Sequence, residues 1–216
     1  EKRQPLLHES LDLIGRIGAP AANWEMTGTL SDALNAAQAM GYPVALKAVA
    51  SSLLHKSEEG AVAVNVAGAE ELDRQWTRLR GLAADVVGVL VQKMVFSSRE
   101  LIIGGKRDPS FGPVVLAGLG GIMVEVLKDA RMRLAPFDIH TAMQMLRELS
   151  GARMLGRFRG MPEADVEAAA QVLVLISELM HHFPQIGELD INPIALHDKG
   201  HGAMVLDARL LLSLNC

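Results

Sequence analysis

A chain of 216 residues, half of them hydrophobic, is long enough to bury a sizeable core as one compact unit or as two small lobes. Its formal net charge is -4 and it has no Lys/Arg-rich run, which argues against a nucleic-acid binder with a basic face. Aromatic residues make up only 4% of the chain, which also disfavours a base-stacking surface.

Three features bear on the compartment. The longest apolar stretch, residues 113–126, is too short to span a bilayer and is interrupted by glycines. No basic segment precedes an apolar one, so the sequence predicts no signal peptide. The one cysteine, Cys216, excludes an internal disulfide and fits either a reducing compartment or indifference to redox state. We therefore expect a cytoplasmic protein without a membrane partner.

Helical and extended patterns are mixed along the first half of the chain, without a regular strand–helix–strand repeat. Thr29 and Ser31 are both candidate N-caps for a second helix, and Gly41-Tyr42-Pro43 ends it. The predicted elements are, in order, helices over 6–16 and 29–40, strands over 43–49 and 60–66, a helix over 69–79 and a strand over 88–95.

The second half opens with two strands joined by a turn signal, Arg107-Asp108-Pro109. Residues 118–121 are glycine-rich and predict a loop, and Pro162 suits the first turn of a long helix. The predicted elements are strands over 100–106 and 113–117, helices over 139–149 and 162–182, and a terminal hairpin of strands over 188–197 and 203–210. The pattern as a whole indicates an α+β fold, divided into two lobes near residue 95.

Three oxygen-bearing side chains meet on the terminal hairpin. Asp190 and Asn192 are two residues apart on one strand, so they share a face. A hairpin centred near residues 199 and 200 places Asn192 opposite Asp207. Carboxylate and amide oxygens suit Mg²⁺, which keeps water molecules and takes phosphate oxygens as further ligands. Side chains that simply face solvent are the alternative, and the apolar neighbours do not separate the two interpretations.

Two features are candidates for phosphate binding. Lys47 lies in the apolar strand PVALKAV, and a buried lysine usually has an anionic partner or ligand. The alternative is an ammonium group that reaches the strand end. Gly118, Gly120 and Gly121 are spaced closely enough for backbone N–H groups to approach a phosphate, although they match neither a P-loop nor a dinucleotide-binding motif. A tight turn is the alternative.

His55 lies between an apolar pair and a charged run in LLHKSEEG. A neutral imidazole can accept a phosphoryl group or act as an acid or base. Lys56 beside it carries a charge that can steady an incoming phosphate, and the strand that contains Lys47 precedes it closely. An ordinary loop histidine is the alternative.

The order of these segments resembles that of ADP-forming acyl-CoA synthetases. LKAVASSLLHKSEEGAV resembles the lysine–histidine segment of that family. GVLVQKMV, RELIIGGKRDPSFGPVVLAGLGGIMVEVLKDARMRLAP, ELDINPIAL and VLDAR resemble its later segments. The resemblance covers roughly residues 10–212, and the long middle segment and ELDINP are its specific parts. The family is similar in turn to succinyl-CoA synthetase, whose nucleotide-binding subunit ends in a similar Asn and Asp pair.

The resemblance implies an ATP-grasp fold with ATP or ADP in a cleft between two α+β lobes. Residues 1–20 would form an N-terminal helix and linker, residues 21–95 the first lobe and residues 96–216 the second, with the Mg²⁺ and nucleotide site. The implied contacts are Lys47 at the phosphates, Gln92, Lys93, Met94 and Val95 at adenine, Glu100 at the nucleotide or its ribose, Arg133, Gly118, Gly120 and Gly121 around the phosphates, and Asn192 and Asp207 at Mg²⁺ with Asp190 nearby.

The resemblance also implies a catalytic role for His55, because a histidine at this position in the family can receive the phosphoryl group. A separate CoA-binding subunit or domain would carry another phosphohistidine, and the reaction would interconvert acyl-CoA, ADP and phosphate with acid, CoA and ATP. The sequence departs from the family at Ala61, where many relatives have glycine. The added methyl group bears on the loop that presents His55 more than on ATP binding.

A second hypothesis belongs to a different class. The chain would be a catalytically reduced regulatory ATP-binding module of a larger fusion protein, such as an acetyltransferase. Retention of Lys47, His55, Asn192 and Asp207 together favours the enzyme. Because no segment resembles the CoA-binding module, we expect the chain to be one component of the enzyme.

Overall fold

The computed structural model describes residues 2–53, 60–97, 99–120, 129–158 and 160–213. The helices are α1 (Leu7–Arg16), α2 (Leu30–Met40), α3 (Ala69–Arg80), α4 (Ile139–Arg147) and α5 (Val166–His182), with a 3₁₀ turn at Ala152–Met154. The strands are β1 (Lys2–Arg3), β2 (Trp24–Thr27), β3 (Val44–Val49), β4 (Val62–Val66), β5 (Gly88–Lys93), β6 (Arg99–Asp108), β7 (Gly112–Leu119), β8 (Ala130–Leu134), β9 (Ile186–Leu196), β10 (Ala203–Val205) and β11 (Ala208–Ser213).

The chain divides into two compact units, and each contains one sheet. The four-stranded unit comprises Leu6–Glu9 and Ala22–Val95, and the seven-stranded unit comprises Glu1–Pro5, Ser10–Ala21 and Phe96–Cys216. In chain order the main boundary therefore falls between Val95 and Phe96, and α1 is shared between the units.

In the four-stranded unit the strand order is β2-β5-β3-β4, and all neighbours are antiparallel. Alternate residues of β3 and β5, such as Leu46 and Val91, pack with α2 and α3 into one hydrophobic core. Leu72 and Leu79 of α3 are fully buried there, which contributes about 1.5–3 kcal/mol each. Helix α2 faces the core with alanines, so it lies close to the sheet.

In the seven-stranded unit the strand order is β1-β11-β9-β6-β7-β8, and β10 pairs with β9 alone. Helices α4 and α5 cover one face of this sheet. A Cβ atom on Gly105 of β6 would lie only 2.9 Å from Sδ of Met180 on α5, so glycine lets the helix approach the sheet. The opposite face carries the predicted metal ligands.

The start of α5 depends on a contact that is distant in sequence. Asp165 caps the helix by accepting a hydrogen bond from the Ala168 N–H at 3.1 Å. The same side chain accepts hydrogen bonds from the N–H groups of Gly200 and Gly202 in the hairpin loop, at 2.9 and 2.8 Å. The predicted start at Pro162 is therefore wrong, because the capping carboxylate lies three residues later.

Most predicted elements are present, and the differences concern short or polar strands. Thr29 caps α2, with its Oγ1 accepting from the Asp32 N–H. Strands β1, β2 and β8 were not predicted, and the last predicted strand is two strands, β10 and β11. The loop predicted at residues 118–121 is wrong at its start, because Gly118 and Leu119 belong to β7. No helix in the described part of the chain combines the length and hydrophobicity needed to cross a bilayer.

Candidate nucleotide and metal site

In the four-stranded unit, Lys47 and Gln92 lie on the sheet face opposite the helices. The β3–β5 register pairs Ala45 with Gln92 and Lys47 with Leu90, whereas their neighbours Leu46 and Val91 pack against α2 and α3. Lys47 is 6% exposed and Gln92 is 2% exposed. The prediction that Lys47 lies in a buried strand is therefore confirmed.

Gln92 is under-satisfied within the part of the chain that the structure describes. Its Nε2 is buried without a hydrogen-bond partner there. Leaving a buried donor unpaired costs about 1–3 kcal/mol, and a ligand acceptor would remove that cost. This observation supports the predicted nucleotide contact of Gln92.

The residues after Gln92 already have protein contacts. The Lys93 side chain donates to the Gly41 carbonyl at 2.7 Å, and its N–H donates to the Asn23 carbonyl at 2.8 Å. The Met94 N–H donates to the Pro43 carbonyl at 3.4 Å. Adenine recognition by Lys93, Met94 or Val95 would therefore use other backbone groups, and it stays a prediction.

The hairpin register predicted from the sequence is confirmed. Val205 of β10 pairs with Ile194, and Ala208 of β11 pairs with Ile191. This register continues through the break between β10 and β11 and places Asp207 across from Asn192. The break has a physical cause, because Pro193 has no N–H to donate to the ladder.

Asp190, Asn192 and Asp207 form an oxygen-donor group on the face of the seven-stranded sheet opposite α4 and α5. Desolvation raises the pKa of Asp190, the neighbouring Arg209 lowers it, and the carboxylate of Asp207 raises it again. The contribution from Asp207 is the smallest of the three, and it is consistent with the register that places both carboxylates on one face. A divalent cation bound between them would offset their mutual repulsion.

The donor chemistry fits a hard cation rather than zinc. Among the described residues no group of three or more His, Cys, Asp or Glu side chains is placed to hold a metal. The oxygen-donor group has two carboxylates, and its third donor is the amide of Asn192. An all-oxygen set of this kind suits Mg²⁺, which takes its other ligands from water and phosphate.

Arg209 is a residue of this site that the sequence analysis missed. It pairs with Asp190 across β9 and β11. The hairpin register that placed Asn192 opposite Asp207 also places Asp190 opposite Arg209, so the signal was present in VLDAR. Arg209 balances part of the negative charge of the oxygen-donor group.

Glu100 lies on the same face of β6 as Gly104, which pairs with Asp190. Desolvation raises the pKa of the half-buried Glu100 carboxyl group. Its backbone carbonyl accepts a hydrogen bond from the Gly120 N–H at 2.6 Å. Glu100 therefore shares a sheet face with the oxygen-donor group, and its contact with nucleotide stays a prediction.

Gly118 and Gly120 have a packing role. A Cβ atom on Gly118 would lie 3.1 Å from the Asp129 carbonyl oxygen, and one on Gly120 would lie 2.8 Å from Cβ of Glu100. Neighbouring protein atoms therefore leave no room for a Cβ atom at Gly120 and little room at Gly118, without any ligand. Their contact with phosphate stays a prediction, and Gly121 lies outside the described residues.

Arg133 lies on β8 opposite Val115, a residue of the helix-covered face. Its Nη2 donates to Oε2 of Glu148 at 2.6 Å, just after α4. The arginine thus has an anionic partner on the face away from the oxygen-donor group. Contact with a phosphate would require Arg133 to release Glu148. The phosphate contact of Arg133 stays a prediction.

His55 lies outside the described residues, but Ala61 beside its segment is described. Ala61 is fully buried in the hydrophobic core, and the positive φ of +68° belongs to Gly60. The methyl group at residue 61 therefore fills core space next to a glycine that already supplies the left-handed conformation.

Comparisons with known proteins define the class. A family described as an ATP-grasp domain matches residues 1–212. The chain therefore belongs to the ATP-grasp family, and its fold is the predicted α+β ATP-grasp fold.

The particular branch follows from relatives at higher identity. The chain is 37% identical over 212 residues to the β subunit of acetate–CoA ligase [ADP-forming] II of Pyrococcus furiosus, covering 95% of this chain and 90% of that one. It is 38% identical over 210 residues to acetate–CoA ligase [ADP-forming] I of Archaeoglobus fulgidus, covering 94% of this chain and 30% of that one. It belongs to the β-subunit type of ATP-grasp domain found in ADP-forming acid–CoA ligases.

Solved structures of one further relative match the fold of this chain over nearly its whole length. Acetyl-coenzyme A synthetase 1 of Ca. Korarchaeum cryptofilum, in complex with coenzyme A and Ca-AMPCP, has a TM-score of 0.93 and 34% identity, covering 98% of this chain and 94% of that one. The same protein in complex with coenzyme A and Mg-AMPPCP has a TM-score of 0.84 and 36% identity, covering 97% and 93%. That structure is described with its phosphohistidine segment pointing towards the nucleotide-binding site.

Proposed function

We propose that this chain is the nucleotide-binding component of an ADP-forming acid–CoA ligase and transfers a phosphoryl group between ATP or ADP and a histidine. The observation that carries the proposal is the strand register that places Asp190, Asn192 and Asp207 on one sheet face as an oxygen-donor group. The relatives are ligases that share nearly the whole of this chain, which does not favour the alternative of a regulatory module.

The predicted residues have separate tasks in this function. Asn192 and Asp207 would hold Mg²⁺, with Asp190 nearby. Bound Mg²⁺ would neutralise part of the negative charge of the phosphates. Positioning and charge neutralisation account for most of the catalysis in such reactions. The proposed nucleotide contacts are Lys47, Gln92, Lys93, Met94, Val95, Glu100, Arg133, Gly118, Gly120 and Gly121.

His55 is the proposed phosphoryl acceptor. A neutral imidazole nitrogen forms a bond to the γ-phosphorus of ATP while the bond from that phosphorus to the leaving ADP oxygen breaks. The phosphoryl group then passes to the partner's histidine, and the reverse order regenerates ATP from ADP.

A CoA-binding subunit or domain of the same synthetase is the proposed partner. The chain matches 90% of the length of a separate β subunit in one relative and 30% of the length of another relative. The remaining part of the larger relative is where a CoA-binding module belongs. Nucleotides and CoA are intracellular metabolites, so the cytoplasm stays the proposed location.

The test is calorimetric titration of the chain with MgADP. Asp207→Ala removes a ligand from the oxygen-donor group, and we expect MgADP affinity to fall by about 100-fold. Glu188→Ala is the matched control, because Glu188 lies on the same strand and face but outside the group. Equal affinities of wild type and Asp207→Ala would remove the metal assignment.

A further inference from the structure

The first residue of β6, Arg99, makes side-chain contacts with residues that are distant in sequence. The side chain is 6% exposed and lies on the same sheet face as Gly105, the face that α5 covers. Its Nη1 donates to the carbonyl of Pro162, shortly before α5. Its Nη2 donates to Oδ1 of Asp198, in the loop after β9, at 2.8 Å. One guanidinium group therefore joins the start of β6 to two other parts of the seven-stranded unit.

The backbone at the start of β6 is fixed as well. Ser97 Oγ accepts a hydrogen bond from the Arg99 N–H at 3.1 Å and donates to the Leu196 carbonyl at 2.6 Å. In the β6–β9 register, Arg99 pairs with Leu196 and Glu100 pairs with Ala195. The ends of elements open more easily than their centres, because fewer contacts hold them. The contacts of Ser97 and Arg99 oppose such opening at the first two residues of β6.

Glu100, the next residue, is on the other face of the sheet. Consecutive side chains of a strand alternate between the two faces, so Arg99 faces α5 while Glu100 faces the side of the oxygen-donor group. Desolvation raises the pKa of the Glu100 carboxyl group, and within the described part of the chain no hydrogen bond or opposite charge counters that rise. The position of this carboxylate therefore depends on the backbone of β6 more than on partners of its own.

The stability of the sheet alone accounts poorly for a buried arginine at residue 99. Its Nε is buried without a hydrogen-bond partner among the residues that the structure describes, and the side chain of its ionic partner Asp198 is 52% exposed. Taking a guanidinium group out of water is costly, and apolar replacements of buried ion pairs are often neutral or stabilising. The contacts of Arg99 thus define a geometry more than they lower the free energy of the folded protein.

We propose that Arg99 is a positioning residue that fixes the start of β6 and thereby holds the Glu100 carboxylate where it contacts the nucleotide. The inference rests on the proposed contact of Glu100 with ATP or ADP. Because Arg99 is buried on the opposite face of the sheet, it acts through the backbone. Hydrogen bonds weaken steeply as their distance and angle depart from the optimum, so a small displacement of the strand end is enough to weaken the contact.

Arg107, near the other end of β6, provides a matched control. It is on the same face as Arg99, and its Nη2 donates to the carbonyls of Met180 and Phe183 at the C-terminal end of α5. Its Nε is also buried without a partner within the described ranges. The two arginines therefore make similar contacts on either side of α5, but only Arg99 is next to Glu100.

The experiment is a double-mutant cycle measured by calorimetric titration with MgADP. Glu100→Gln removes the charged acceptor, and we expect affinity to fall by about tenfold. Arg99→Met is expected to lower affinity by about fivefold, and Arg107→Met is expected to leave it at the wild-type value. The double variant Arg99→Met/Glu100→Gln binds as Glu100→Gln does, because the contact that Arg99 positions is already lost.

Two further variants separate positioning from general damage. Arg99→Lys keeps the charge and one donor, so it recovers part of the affinity that Arg99→Met loses. Asp198→Ala removes the ionic partner and leaves Arg99 in place, and we expect it to lower affinity by about twofold. If Arg99→Met does not fold, Asp198→Ala replaces it in the cycle with Glu100→Gln and decides the question.

Hydrogen exchange gives a measurement that does not depend on nucleotide. The Gly120 N–H donates to the Glu100 carbonyl at 2.6 Å, so its exchange rate reports on the start of β6. In Arg99→Met we expect this amide to exchange faster than in the wild type. In Arg107→Met we expect it to keep the wild-type rate, since the other end of β6 is changed.

The possible outcomes distinguish this inference from the proposed function. Wild-type MgADP affinity in Arg99→Met would overturn the inference, and so would equal losses from Arg99→Met with and without the Glu100 carboxylate. Unchanged affinity in Glu100→Gln would remove the contact on which the inference rests, while the metal assignment is tested separately by Asp207→Ala. If the wild type binds no MgADP, the proposed function itself fails.

Discussion

The two sheets hold their candidate ligand groups in opposite ways. The four-stranded sheet buries them, with Lys47 and Gln92 almost inaccessible to solvent. The seven-stranded sheet leaves Asp190 and Asn192 exposed and Asp207 half-buried. A buried polar group costs stability unless it is satisfied, whereas an exposed carboxylate costs little. Changes of Lys47 and Gln92 are therefore expected to alter stability and binding together, and changes of Asn192 and Asp207 to alter mainly binding.

The largest effect on stability is expected from Gly120, which directly follows β7 in the seven-stranded unit. Gly120→Ala places a Cβ atom 2.8 Å from Cβ of Glu100, so a strand must move. We expect the free energy of unfolding to fall by about 1–3 kcal/mol in urea denaturation. Gly104→Ala is the matched control, because its nearest contact would be an ordinary 3.8 Å. Equal stability of the two variants would contradict a packing role for Gly120.

A smaller effect, of opposite sign, is expected in the four-stranded sheet. Gln92→Met removes the buried Nε2 donor and keeps the length of the side chain. We expect the nucleotide-free protein to gain about 1 kcal/mol in free energy of unfolding, since an unsatisfied donor is lost. MgADP affinity falls about tenfold if nucleotide accepts from that donor. Unchanged affinity together with higher stability would leave Gln92 without a binding role.

The smallest effect is the pH dependence that Asp85 contributes to the four-stranded unit. Hydrogen bonds from Ser52 and Ser51 lower its pKa from 3.8 to about 2 in the folded protein, so its contribution is present above pH 3.8 and lost as the pH falls through about 2. Wild type is therefore expected to be more stable than Asp85→Asn at pH 7, and the difference shrinks between pH 4 and pH 2. Urea denaturation of both proteins at these pH values measures it, and other carboxylates cancel in the difference. A difference that is constant with pH would contradict the assignment.

Much of the candidate site was predictable because its pattern is local. The alternation of β9, the short loop after it and the return strand define the register that pairs Asn192 with Asp207. Lys47 stood out because one charge interrupts an apolar strand. Strands β2 and β8 were missed because WEMT and ARMRL are only four and five residues long, too short for their alternation to stand out, and neighbouring strands supply their hydrogen bonds.

The sequence by itself determined the α+β class, the positions of the main helices and the hairpin register, since these follow from periodicity and short loops. Only the tertiary structure decided which charges are already committed to protein partners. Arg133 is paired with Glu148 fifteen residues later, and Asp165 reaches Gly200 and Gly202 of the hairpin loop. Such pairs join residues that are distant in sequence, and their geometry exists only after helices have packed on the sheet. For the same reason the sequence did not indicate the role of Asp85. Its contacts join the loop after α3 to Ser51 and Ser52, which follow β3.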